Sequence, residues 1–216
     1  MKIIASSIGT ITLTLLTSAC SVFGVRTEER PLFEVVQKSG DREVRKYSSY
    51  VVAKTTVEGD YEEAQNEGFR RLAKFIFGDN TAEDSIAMTA PVTQTSNQDG
   101  DKIAMTAPVL QSGSEAGWTV SFMMPAKYSL ESIPKPRDQR IILEKVPEQY
   151  LAAIIYSWGR GFERNQEKGK ELLEWLQTET KYAPVGPLIS AGYDPPWTLT
   201  FLRLNEMLVV VEPRVP

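Results

Sequence analysis

The sequence predicts an antiparallel α+β fold, with two amphipathic helices packed on a curved sheet or an open barrel. Three observations carry that expectation. Strand-like segments outnumber helix-like ones and return through short turns. A strand, a glycine link and an amphipathic helix occur twice, offset by one hundred residues. A heptapeptide with period-two alternation is written twice. The length of 216 residues suits one domain, or one domain built from two similar halves.

Residues 33–37 read as a first strand, Gly40-Asp41 as a turn, and residues 43–47 as a second strand. Residues 50–58 form a β-branched third strand, closed by Gly59-Asp60. Asp60 is placed to cap a helix, with Glu62 and Glu63 in its first turn and Gly78 at its stop. Gln65, Phe69, Leu72, Ala73 and Ile76 make a mainly apolar stripe along that helix.

The heptapeptide follows. Ile86-Ala87-Met88-Thr89-Ala90-Pro91-Val92 recurs at residues 103–109. Ile86, Met88, Ala90 and Val92 share one face, as do Ile103, Met105, Ala107 and Val109. The polar stretch between the copies contains Asp99-Gly100, so the pair reads as a hairpin. Met88 should then oppose an odd-numbered residue such as Met105 or Ala107. Pro91 and Pro108 each remove a ladder donor, which places an edge, a bulge or a strand end there. Met88 and Met105 have two readings: core packing, or a methionine-lined wall that tolerates a large, flat ligand.

Residues 118–124 are a further strand, residues 130–140 a proline-broken connection, and residues 141–146 a strand. The repeat then begins. Tyr150-Leu151-Ala152-Ala153 answers Tyr50-Val51-Val52-Ala53, and Gly159 answers Gly59. Gly169, Leu172, Leu173 and Leu176 fall opposite Phe69, Leu72, Ala73 and Ile76, on a second helix over residues 162–180. Residues 187–193, the turn Asp194-Pro195-Pro196-Trp197 and a last strand over residues 206–211 complete the chain. Trp197 either plugs the end of the sheet or, with Tyr193, offers a flat aromatic face. Arg203, Asn205 and Glu206 read as a structural polar network.

The totals exclude several chemistries. A net charge of −4 and the lack of a basic run argue against nucleic acid as the main partner. There is no histidine, which removes Ser-His-Asp and Cys-His catalysis, the commonest metal ligand and a histidine axial ligand to iron. The single cysteine, Cys20, excludes an intramolecular disulfide and a cysteine zinc site.

Cys20 follows a short positive start, an apolar stretch over residues 3–16, and the small residues Thr17-Ser18-Ala19. Small residues ahead of a cysteine mark a cleaved signal. The spacing resembles a bacterial lipoprotein signal, in which the cysteine is lipidated and becomes the mature N-terminus. Thr17 departs from the leucine usual there. An uncleaved anchor and an ordinary secretory signal are the other readings. The expected organisation is a signal peptide over residues 1–19, a lipidated tether over 20–31 and one domain over 32–212, its halves at about 33–111 and 118–212. In that pattern Ser21 directs an exported, membrane-anchored lipoprotein of the bacterial envelope to the outer membrane where one exists.

Several phrases in order resemble the SOUL haem-binding proteins across residues 33–212. They are Tyr47 with Tyr50-Val51-Val52-Ala53, residues 64–78, both Met-Thr-Ala-Pro-Val copies, Gly192-Tyr193-Asp194-Pro195-Pro196-Trp197, and Arg203-Leu204-Asn205-Glu206. The resemblance implies duplicated strand-helix-strand halves forming a distorted antiparallel β-barrel flanked by two main helices, related to bacterial effector-binding domains. It also implies that haem or another tetrapyrrole binds in an apolar groove beside the first helix. Without histidine, the matching pattern is the coordination-free one, in which basic side chains meet the propionates. Lys74 matches one basic position of that pattern, whereas Asn66 and Thr198 stand at two others.

The residues of the first helix agree in part. Arg70 and Lys74 are four apart, and their outward neighbours Asn66 and Gly78 are not acidic. That leaves a positive pair beside Phe69, Phe75 and Phe77, suited to a carboxylate tail; the other reading is a solvated face. The expected ligand-binding set is therefore Phe69, Arg70, Lys74, Phe75, Phe77, Met88, Met105, Tyr193 and Trp197. Its ligand is a tetrapyrrole or a similar hydrophobic anion, held for carriage, buffering or sequestration. The competing classes are a hydrolase using a glutamate and a tyrosine of the pocket, and a structural envelope lipoprotein without a ligand.

Overall fold

The computed structural model describes residues 28–96, 117–159, 161–194 and 197–214. Nine strands and two helices follow in order: β1 (Phe33–Ser39), β2 (Arg42–Tyr47), β3 (Tyr50–Val57), α1 (Tyr61–Ile76), β4 (Val92–Ser96), β5 (Trp118–Met123), β6 (Ile141–Val146), β7 (Gln149–Tyr156), α2 (Phe162–Glu179), β8 (Tyr182–Gly192) and β9 (Asn205–Pro213). A short 3-10 turn, Thr200–Leu202, precedes β9.

All nine strands lie in one antiparallel sheet in the order β1-β2-β7-β9-β8-β4-β5-β3-β6. From the central β8–β4 pair the order reads alike in both directions. In one direction lie β9, β7 and β2, and in the other β5, β3 and β6. β2 from the first half pairs with β7, and β6 from the second half pairs with β3. The sheet is open. Its end strands β1 and β6 each have one partner and do not pair with each other, so the barrel implied by the resemblance is not closed among the described residues.

The α1 boundaries follow from their caps. Asp60 accepts from the Glu63 amide at 2.9 Å, satisfying an otherwise orphaned donor. At the other end Gly78 takes a positive φ of 119°, which glycine adopts without a Cβ clash. The buried face differs from the expected stripe: it is Tyr61, Ala64, Gly68, Leu72, Phe75 and Ile76, with Phe69 turned outward. Gly68 is the reason. A Cβ there would lie 2.6 Å from Val120 Cγ2, so the helix approaches β5 through the one residue without a side chain. Gly169 of α2 makes the same approach to Leu188 on β8, at 2.5 Å. Leu172, Trp175 and Leu176 are buried on α2 as Leu72, Phe75 and Ile76 are on α1.

Each helix covers its own core. α1 closes over Val51, Ala53, Val120, Phe122 and Ile141, and α2 over Val44, Ala152, Ile154, Val209 and Val211. The two helix starts are joined by a buried chain of hydrogen bonds. Tyr156 Oη donates to Asn165 Oδ1 at 2.5 Å, and Asn165 Nδ2 donates to Tyr61 Oη at 2.8 Å. The first heptapeptide copy is mostly not a strand: β4 begins only at Val92, after a cis Ala90–Pro91 bond. β4 pairs with β5 and β8. The second copy lies outside the described residues, and so does the expected pairing of Met88 with Met105.

Candidate functional site

Register places the sites. Ala53, Phe122, Val92, Gly192, Asn205 and Tyr156 are successive cross-strand partners on β3, β5, β4, β8, β9 and β7. Beyond this row lies one rim of the sheet. The end of β5, the lead into β4, the turn after β8, the turn before β9 and the loop after β7 all gather there. α1 runs towards the same rim, because its first residue meets Gln94 while Phe69 packs edge-on to Phe122 at 5.3 Å.

On the outward side of α1, Phe69, Ala73 and Phe77 are four apart and form one row. Phe69 is partly exposed and Phe77 is 64% exposed. Arg70 and Lys74 occupy the next row and face water. Arg70 is not uncompensated as expected: Glu67, three residues earlier, meets it at 3.5 Å and also meets Arg71 at 3.3 Å. Lys74 has no ion-pair partner among the described residues. Phe75 is fully buried in the α1 core, and Met88 packs half-buried against that core. Trp197 is 65% exposed, and Met105 lies outside the described residues. Phe69, Phe77, Lys74 and Trp197 therefore face solvent near one rim, whereas Phe75 is structural and Tyr193 lies on the opposite face of the sheet.

That opposite face carries a cluster the sequence did not assemble. Arg45 on β2 donates to both oxygens of Glu206 on β9, at 2.9 Å each. Its Nε donates to Glu43 at 2.7 Å, and Tyr193 Oη donates to Glu206 Oε2 at 2.6 Å. All of these groups are buried, with Tyr47 at the edge of the cluster, 3.2 Å from Arg45. Burial opposes the Arg45 charge, but the hydrogen bond and charge of Glu206 outweigh it and hold the guanidinium above its ordinary range. Burial, reinforced by the Glu206 charge, pushes the Tyr193 phenol well up. Burial also raises Tyr47, to about 12. Burial works against the Glu43 carboxylate, yet hydrogen bonds from Lys38 and Arg45 hold it below the usual range.

Residues 28–32 close over this face. Glu29 pairs with Thr89 in a parallel bridge, and its side chain accepts from the Ala126 amide at 2.7 Å. Arg30 lies over the Tyr193 ring at 5.0 Å. Beside this segment is a cavity of about 280 Å³, lined by Glu29, Leu32, Tyr50, Met124, Tyr128 and Lys145 among others. It lies just below the ~300–1,000 Å³ usual for small-molecule sites. No group of three or more metal-ligating side chains occurs among the described residues.

These features were compared with known proteins. The profile described as SOUL heme-binding protein matches residues 28–210. Heme-binding protein 2 of Homo sapiens is 27% identical over 172 residues, covering 79% of this chain and 78% of its own. The Mus musculus protein of the same name is 26% identical over 178 residues, covering 82% and 81%. Among solved structures, the EcmrR C-terminal domain superposes with a TM-score of 0.54 at 13% identity, covering 85% of this chain and 99% of that one. A hydrolase from Listeria innocua gives 0.51 at 10% identity, covering 82% and 94%. At such identities these two likenesses show the fold alone. The match over nearly the whole described length establishes that the chain belongs to the SOUL heme-binding protein family.

Proposed function

We propose that the protein binds haem or a related tetrapyrrole on the solvent-facing side of α1, for carriage, buffering or sequestration. The observation that carries this reading is Lys74, a cation without an ion-pair partner among the described residues, beside the outward aromatic rings of Phe69 and Phe77. A macrocycle has apolar surface to bury and anionic tails to neutralise. The Phe69–Ala73–Phe77 row supplies the first, with Trp197 on the same rim, and Lys74 with Arg70 supplies the second. The relatives named Heme-binding protein 2 support the same ligand class. The chain offers no histidine to iron, so the grip is on the ring and its carboxylates. Haem would bring its iron chemistry; the protein's residues bind and orient the macrocycle. The cavity beside residues 28–32 is small for it, which favours the open strip.

The test is a titration of the full chain with haem and with iron-free protoporphyrin, followed by Soret absorbance. Both should saturate, and Lys74→Glu should weaken both by roughly tenfold or more, the scale of one charge-assisted hydrogen bond. Saturation by haem alone overturns the coordination-free reading, and saturation by neither overturns the tetrapyrrole reading.

The hydrolase alternative has one observation in its favour, the buried Tyr193–Glu206 pair. Both Glu206 oxygens already accept from Arg45, so the carboxylate is committed to tying β2 to β9 across β7. Geometry therefore favours a structural role for the pair. Lipidation at Cys20 and anchoring to the bacterial envelope belong to the same proposal, on the strength of the residues ahead of that cysteine.

A further inference from the structure

Apart from Trp197, which shares a rim with the ligand strip, the exposed aromatics of the second half have no part in that strip. Trp158, in the loop after β7, is 60% exposed, and Phe201, in the turn before β9, is 52% exposed. Their rings lie 6.2 Å apart. Leu199 is exposed beside them in sequence, as is Trp197. Trp158 also has a φ of 80°, the left-handed region that bulky residues avoid. Its carbonyl accepts from Asn205 Nδ2 at 2.8 Å, which holds the loop in that shape. A strained backbone here presents a large ring that stays mostly in water, with the Phe201 ring as its aromatic neighbour.

The register shows what these residues share. Tyr156, Asn205 and Gly192 belong to the cross-strand row described above, so Trp158, Phe201, Leu199 and Trp197 all leave the sheet at the same rim. The described chain enters at that rim too. Glu29 is fixed beside Thr89 by its bridge and by the Ala90 amide, which donates to the Glu29 carbonyl at 3.1 Å. Arg30 lies on Tyr193. Cys20 stands eight residues before Glu28, a reach of at most about 28 Å for extended chain. A lipid on Cys20 would therefore hold this rim within that reach of the bilayer.

We propose that this rim docks on the membrane surface, with Trp158, Trp197, Leu199 and Phe201 at the level of the lipid headgroups. Tryptophan favours that level because its ring is apolar and its N–H finds water or headgroup partners. A lipid anchor holds the chain at the surface, and contacts of this kind orient it there. The inference rests on the lipid-anchor reading of Cys20. It also gives the ligand strip an orientation: the strip opens towards the bilayer, so an apolar macrocycle passes between lipid and protein with little exposure to water.

The test uses the full chain reconstituted with phosphatidylcholine vesicles, with and without lipids brominated near the headgroup. Flotation reads attachment, and tryptophan emission reads contact. Trp118 and Trp175 are buried, so quenching by brominated lipid reports Trp158 and Trp197. The expected result is flotation with quenching, and Trp158→Phe together with Trp197→Phe should remove at least half of that quenching. Flotation without quenching, or quenching unchanged in the double variant, overturns the docking and leaves the anchor standing. Failure to float overturns the anchor, and the docking with it.

Discussion

At the scale of single residues, Arg45 ties distant parts of the chain together on the face away from the helices. It satisfies Glu206 on β9 and Glu43 on its own strand, and its guanidinium lies over the Phe33 ring at 4.5 Å. Removing one partner of such a buried pair leaves an uncompensated charge, which costs about 3–5 kcal/mol. Arg45→Leu should lower stability by that amount in urea unfolding, and adding Glu206→Leu should restore part of it. The sequence reading already treated Glu206 as part of a polar network. Its partner was not legible, because Arg45 lies 161 residues away and no local period connects the two.

Among the elements, α1 shows what sequence period reveals and where it stops. The Asp60 cap and the Gly78 stop were legible because capping chemistry is local. The buried face was misjudged by about one position because its centre is Gly68, which carries no hydrophobic signal. Counting apolar residues therefore drew the stripe towards Phe69. Gly68→Ala should overpack the contact with Val120 and destabilise by about 1–3 kcal/mol. Measured by thermal unfolding, the loss should shrink when Val120→Ala is added. The same shift divides the expected ligand-binding set: Phe75 lies inward in the core, while Phe69 and Phe77 face water. The second heptapeptide copy, with Met105, lies outside the described residues.

For the molecule as a whole, pH dependence follows from its charged groups. The Glu43 carboxylate is held low, and hydrogen bonding to Arg140 holds Asp138 at about 2. Their unfolded counterparts take up protons near pH 4. The stability they contribute is therefore present above that value and lost as pH falls towards 2. Tyr47 at about 12, and Tyr193 held well above its usual value, keep their protons in the folded state after the unfolded chain begins to lose them near pH 10. That contribution is lost as pH rises towards 12. With no histidine in the chain, a urea midpoint followed across pH should be flat from about 6 to 8 and fall on both sides. The hundred-residue offset was legible in the paired Tyr50 and Tyr150 phrases, each opening an equivalent strand. The way the halves join was not, because pairing partners are chosen across the whole sheet.

The pairing of β2 with β7, and of β5 and β6 with β3, means that strands of each half complete the sheet of the other. Such halves are interlocked: neither could be lifted out with its sheet intact, because each would leave behind a strand that completes its neighbour. A free-standing ancestor of one half would have needed a second copy of itself to fill the gap by the same reciprocal loan. Joining two copies in one chain makes that loan intramolecular and fixes its stoichiometry. It also frees the two helix faces to diverge.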